Sequence, residues 1–176
     1  HHELGLQEYI KRVDDLGRML SHCATLCQPA PPFIAALDAD EGYWVETMGE
    51  SLRRFIHEPY RRKLAIVNHR LQANLARVRA RIASEPEDPP LGYADAADFR
   101  QDLYLIRDSL VSHGDASAAA GPLQDLIRLS ESFGFHLMHL DLRQESSRHT
   151  AAVSELFARQ PGAPYYQALS EEQKLV

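Results

Sequence analysis

Apolar residues along this chain recur mostly every three or four positions, a spacing that predicts helices. Tyr9, Val13, Leu16, Leu20, Cys23 and Cys27 form one such stripe, so a first helix is expected from Tyr9 to Cys27, with both cysteines on one face. The run QPAPP at 28–32 ends it, because proline lacks a backbone N–H and clashes with the preceding turn. A short second helix is expected over Phe33–Ala39, and a third over Tyr43–Ile56 carrying Trp44. The clearest pattern starts at Pro59, which suits a first helical turn; Leu64, Val67, Leu71, Leu75, Val78 and Ile82 then step by three and four. The opposite face carries Arg62, Arg70, Arg77 and Arg81, and such a face reads as solvated. SEPEDPPLG at 84–92 reads as a loop. Asp95 can cap the next helix, whose stripe is Phe99, Leu103, Ile106 and Leu110. HGDASAAAG at 113–121 is a connection, and Pro122 opens a helix with Leu123, Leu126, Ile127 and Leu129 inward.

The period changes after Gly134. FHLMHLDLR is short, apolar and followed at once by polar residues, so one buried strand is expected at about 135–142. Almost nothing else in the chain reads as strand. A lone buried strand cannot satisfy its own backbone groups, so its partners are expected in another part of a larger protein or in a second copy. QESSRHT follows, then a helical pattern through Val153, Leu156 and Phe157 that Ser146 or Ser147 can cap. The expected fold class is mainly α: a bundle-like helical region over 1–133, and a strand–loop–helix over 134–176. Strand, loop and helix in that order is the unit of parallel α/β sheets and barrels, where chemistry gathers at the carboxyl ends of strands. Arg143 falls at such an end, on the same strand face as Asp141, with Glu145, Arg148 and His149 just beyond. A guanidinium there can grip phosphate or carboxylate oxygens through paired hydrogen bonds. The same residue can equally pair with Asp141 or Glu145 and hold the loop.

Composition narrows the function classes. The chain has 176 residues, 44% of them hydrophobic, and a net charge of -6. That supports a domain with a real core and excludes a disordered chain. The acidic balance argues against a dedicated nucleic-acid binder. No apolar run approaches the roughly 20 residues of a membrane span. The opening HHELGLQEYI lacks the apolar core of a signal peptide; two cysteines make a disulfide framework unlikely, so a reducing cytoplasm is expected. His1 and His2 read equally as native residues or as the end of a purification tag. The two cysteines with His22 fall short of the four ligands of a zinc site, so no metal is expected on them. His139, Asp141 and His149 are spaced too loosely for a catalytic triad, and no nucleophile is placed beside them.

One stretch is recognisable. FGFHLMHLDLRQESSRHT resembles a signature region of phosphoenolpyruvate carboxylases. HEPYRRKL at 57–64 looks like the family's EPYR segment, and FRQDLYLIRDSLVSHGD at 99–115 looks like the helix before the signature. The resemblance implies an interior slice of a long enzyme whose (β/α)8-type barrel would own the 135–142 strand. Such enzymes join bicarbonate to phosphoenolpyruvate, giving oxaloacetate and phosphate. They need magnesium or manganese, and are usually homotetramers under allosteric control. By position, Arg143 is the family's arginine for the substrate phosphate, with Asp141, Glu145, Arg148 and His149 as possible support. Arg61 matches the EPYR arginine, near which some members bind an effector at a subunit contact; packing at a helix start, in a salt bridge, is the simpler role. The family's catalytic histidine, metal carboxylates, lysine and glycine-rich loop have no counterpart here. The resemblance thus implies that this piece alone is inactive and binds no metal. The alternative is a helical interaction or regulatory module without the chemistry.

Overall fold

The computed structural model describes residues 2–48, 55–86, 91–136, 145–162, 164–170 and 173, with the side chains of 46–48 left aside. It divides into two compact units, His1–Met138 and His139–Val176.

The first unit is helical. Helix α1 (His2–Met19) buries Leu6, Tyr9, Val13 and Leu16 and packs along α3 (Pro59–Ala83). It stops eight residues before the expected end at Cys27. The Ser-His-Cys-Ala-Thr stretch has weak helix propensity, and tertiary contacts claim it instead. Leu20 is fully buried, and Ala24 N donates to His57 O at 2.8 Å. Cys23 and Cys27 lie in a single isolated turn, closed by Cys27 N to Cys23 O at 3.1 Å, not on a helix face.

Phe33–Ala39 and Tyr43–Met48 belong to one helix, α2 (Pro31–Met48), where two were expected; the rest of the expected third helix, 49–54, lies outside the described residues, and Phe55 and Ile56 lie in a short turn before α3. The expected gap between them is Asp40-Glu41-Gly42. Asp40 instead occupies the inward stripe with Phe33, Leu37 and Trp44. Ion pairs from Asp40 and Glu41 to α3 carry the helix through Gly42, whose cost in a helix interior is only about 1 kcal/mol.

Helix α3 begins at Pro59 as expected and ends on Ser84 in the left-handed region, φ 57°. Ser84 N and Glu85 N return to Arg81 O and Ala80 O. Leu64, Val67 and Leu71 are buried, but Ile82 is 71% exposed and not inward. Its arginine face is not simply solvated, since Arg62 and Arg70 are ion-paired to α2. Beyond the loop, the Asn74 side chain bonds both the N–H and C=O of Tyr93, at 2.8 Å each. Gly92 permits this, because a Cβ there would sit 2.4 Å from Asn74 Oδ1.

Asp95 caps α4 (Ala96–Ser112) as expected, accepting from Ala97 N at 2.7 Å and Asp98 N at 3.1 Å. All four residues of its expected stripe are fully buried. The 113–121 connection contains the short α5 (Ala116–Ala118) and a π-turn (Ala119–Leu123) leading into α6 (Gln124–Phe133). Gly134 ends α6 with φ 53°. The chain then turns, His136 N donating to Phe133 O at 3.0 Å, so Phe135 and His136 do not begin the expected strand. Phe135 folds back between Tyr9 and Phe99 instead. Residues 137–142 of that strand lie outside the described residues. Among the described residues there is no strand, and no helix long and apolar enough to cross a membrane.

The second unit contains α7 (Ser146–Arg159) and a short 3-10 turn (Tyr166–Ala168). The position before α7 is Glu145, not a serine: its carbonyl accepts from Arg148 N and His149 N, and Ser147 Oγ donates to its carboxylate at 3.4 Å. Phe157 packs on Tyr166, while Leu156 is 67% exposed.

Candidate functional site

Three residues named from sequence, His139, Asp141 and Arg143, lie outside the described residues. Glu145, Arg148 and His149 are exposed at the start of α7. Arg61 sits in the first turn of α3. Its Nη1 donates to Glu58 Oε2 at 2.8 Å and its guanidinium lies 5.0 Å over the Phe55 ring. That is a packed, paired arginine at a helix start.

Sequence reading missed the most polar part of the interior. Lys63, 1% exposed, projects between Asp40 of α2 and Asp102 of α4. Its Nζ donates to Asp40 Oδ2, and to Asp102 Oδ1 at 2.5 Å. Arg70 closes the ring, with Nη2 to Asp40 Oδ1 at 2.7 Å and Nη1 to Asp102 Oδ2 at 3.2 Å. Tyr93 adds its hydroxyl to Asp102 Oδ2 at 2.7 Å. Burial, and then the adjoining Asp102 carboxylate, push the Tyr93 hydroxyl well above its ordinary pKa, so it stays a donor. Two carboxylates thus face two cations, and every carboxylate oxygen is occupied. The cluster ties α2, α3 and α4 together rather than offering a reactive group. The signal was present: Lys63 and Asp102 stand beside Leu64 and Leu103 on inward stripes, where a surface charge would not belong.

A second cluster joins the 20–30 segment to the end of α4. His22 Nε2 lies 2.6 Å from Asp115 Oδ2, and Asp115 Oδ1 accepts from Ser117 Oγ and Ala118 N. Tyr60 OH reaches Ser109 Oγ at 2.7 Å and His113 Nε2 at 2.9 Å. The hydrogen bond from His22, helped by Ala118 N and Ser117, pulls the Asp115 carboxyl down from 3.8 to about 2. The unfolded chain therefore takes up a proton near pH 3.8 that the folded chain refuses until about pH 2. The stability from this link is complete above that window and is lost as pH falls through it. In urea titrations from about pH 5 to about pH 2, Asp115→Asn should flatten the acid loss of stability. Equal slopes for both proteins would remove Asp115 from that role.

Magnesium or manganese, implied by the resemblance, finds no fitting ligand set here. Among the described residues no group of three or more His, Cys, Asp or Glu could hold a metal ion, and the buried carboxylates are already bound to Lys63 and Arg70. Cys23 and Cys27 are free.

The described residues of the first unit define a class: an ion-locked helical scaffold. The chain belongs to the phosphoenolpyruvate carboxylase family, whose model, described as Phosphoenolpyruvate carboxylase, matches residues 1–176. It is 39% identical to a phosphoenolpyruvate carboxylase of Burkholderia vietnamiensis over 97% of the chain and 17% of that protein. It is 36% identical to one from Azorhizobium caulinodans over 81% of the chain and 16% of that protein. A Burkholderia mallei relative is 39% identical over 96% of the chain and 17% of its own length. The chain therefore spans about a sixth of the length of these relatives, 17% for the first.

Proposed function

We propose that this chain is an internal segment of a phosphoenolpyruvate carboxylase, and that its contribution to the reaction is Arg143. The observation that carries the reading is its likeness to the carboxylases along nearly its whole length, 97% of the chain against 17% of the first relative. The parent would join bicarbonate to phosphoenolpyruvate with magnesium or manganese held by residues other than those described here. The phosphoryl group passes to bicarbonate, leaving the enolate of pyruvate and carboxyphosphate. The carboxyl carbon then bonds to the enolate carbon, and inorganic phosphate leaves. Arg143 would grip the phosphoryl oxygens through this transfer, where a fixed cation stabilises charge as it shifts. Asp141, Glu145, Arg148 and His149 would position the loop that carries it. The 135–142 segment would be a strand of the parent's barrel. Arg61 would lie near a subunit contact of a homotetramer in the cytoplasm, where an effector could act through the Glu58–Arg61 pair.

The experiment is oxaloacetate formation from phosphoenolpyruvate, bicarbonate and magnesium, by the parent protein and by the 176-residue chain alone. The parent should turn over and the chain should not. Turnover by the chain alone overturns the segment reading. A parent that makes no oxaloacetate points to the non-catalytic helical module instead.

A further inference from the structure

The early end of α1 leaves Cys23 and Cys27 in a turn of their own. Cys23 O accepts from Leu26 N at 2.9 Å and from Cys27 N at 3.1 Å. Before the turn the backbone has left the helical pattern, Ser21 N returning to Met19 O and Ala24 N donating to His57 O. One helical turn sets Cα atoms four residues apart at about 6 Å, inside the roughly 4.4–6.8 Å that a disulfide spans. On a continuous helix the Cβ atoms of such a pair are held about 5–6 Å apart, whereas a disulfide needs about 3.5–4.5 Å. An isolated turn carries no such restraint, so it can tighten by the ~1–2 Å required. Solvent reaches it: Ala24, Thr25 and Leu26 are exposed, and both thiols are free and partly exposed.

The two thiols differ. Thr25 Oγ1 lies 3.1 Å from Cys23 Sγ, and the hydroxyl and N–H of Thr25 hold the Cys23 thiol below its ordinary pKa, outweighing burial and the Glu58 carboxylate. Cys27 packs against the core, and burial, then Cys23 itself, push its thiol up. One thiol is set to ionise and react, and its neighbour to resolve. We propose that Cys23 and Cys27 form a reversible oxidation site, at which Cys23 takes an oxygen from hydrogen peroxide and Cys27 closes an intramolecular disulfide. The Cys23 thiolate attacks the peroxide; an S–O bond forms as the O–O bond breaks, and the leaving hydroxide takes the thiol's proton to become water. The Cys27 sulfur then attacks the sulfenic sulfur; an S–S bond forms as the S–O bond breaks, and a second water leaves with the Cys27 proton. The thiol pair gives up two electrons and the peroxide is reduced to two waters. In a reducing compartment such a bond is transient, which suits a signal rather than a staple. Neither cysteine belongs to the proposed substrate site, so the inference stands apart from the carboxylase reading.

The native parent protein is treated with hydrogen peroxide, its remaining thiols are blocked with maleimide, and it is digested with trypsin. Residues 19–53 then form one peptide that carries both cysteines. That peptide should become two hydrogens lighter than the dithiol, take no maleimide, and recover both thiols with dithiothreitol. Cys27→Ser should stop at a sulfenic acid on Cys23, trapped by dimedone. Cys23→Ser should slow the loss of the Cys27 thiol about tenfold or more, because the leading thiolate is gone. A peptide that keeps both maleimides, a disulfide to any other cysteine, no dimedone adduct in Cys27→Ser, or equal loss of the Cys27 thiol with and without Cys23 would overturn the site.

Discussion

Lys63→Met should cost the first unit about 3–5 kcal/mol, the penalty for removing one partner from a buried ion pair. The ammonium is 1% exposed and serves two carboxylates at once. Without it, Asp40 and Asp102 keep only Arg70 and the Tyr93 hydroxyl between them. One of two buried negative charges is then uncompensated, and methionine fills the space without replacing the hydrogen bonds. Domains of this kind have roughly 5–15 kcal/mol in total, so the variant should be close to unfolding. Urea denaturation of the 176-residue chain measures it directly. Adding Asp40→Asn to Lys63→Met removes the surplus charge and should recover part of the loss, which a simple packing defect would not do. A loss below about 1 kcal/mol would mean that the cluster is solvated and does not hold the helices together.

This cluster also marks where sequence reading stopped. Purely apolar stripes were legible. In α1 the inward Tyr9, Val13 and Leu16 read off their spacing, though neither end of the helix does; α4 reads off Phe99, Leu103, Ile106 and Leu110, and the Asp95 cap and Pro59 start stand where capping chemistry puts them. Where a charge occupies an inward position, the reading failed. The gap expected between Ala39 and Tyr43 contains Asp40, which periodicity counts as surface. Only its partners on α3, Lys63 and Arg70, the first of them 23 positions later in sequence, make it a core residue. The arginine face of α3 failed for the same reason. Cys23 and Cys27 kept helical spacing through a single turn, but continuation depends on contacts that spacing does not contain.

The chemistry was legible in a different way. The LDLRQESSRHT stretch carries the family likeness, which the comparison along residues 1–176 bears out. Nothing about a long-range hydrogen bond such as His22–Asp115 is written locally, because its partners are 93 positions apart.

Arg143→Ala in the parent enzyme should lower kcat/KM for phosphoenolpyruvate by about 2–4 kcal/mol, on the order of 30- to 1000-fold. A charge-assisted grip on the moving phosphoryl group acts most where charge is shifting, so kcat should fall as well as KM rise. Arg143→Lys should recover only part of the rate, because an ammonium keeps the charge but loses the paired N–H geometry. The far-UV spectrum and the thermal midpoint should stay unchanged, which separates loss of a contact from loss of fold. The decisive measurement is the steady-state rate of oxaloacetate formation by this variant, against varied phosphoenolpyruvate at saturating bicarbonate and magnesium. The account predicts a drop of that size in kcat/KM with the fold intact; a variant that matches the unmodified enzyme in both kcat and KM would contradict it.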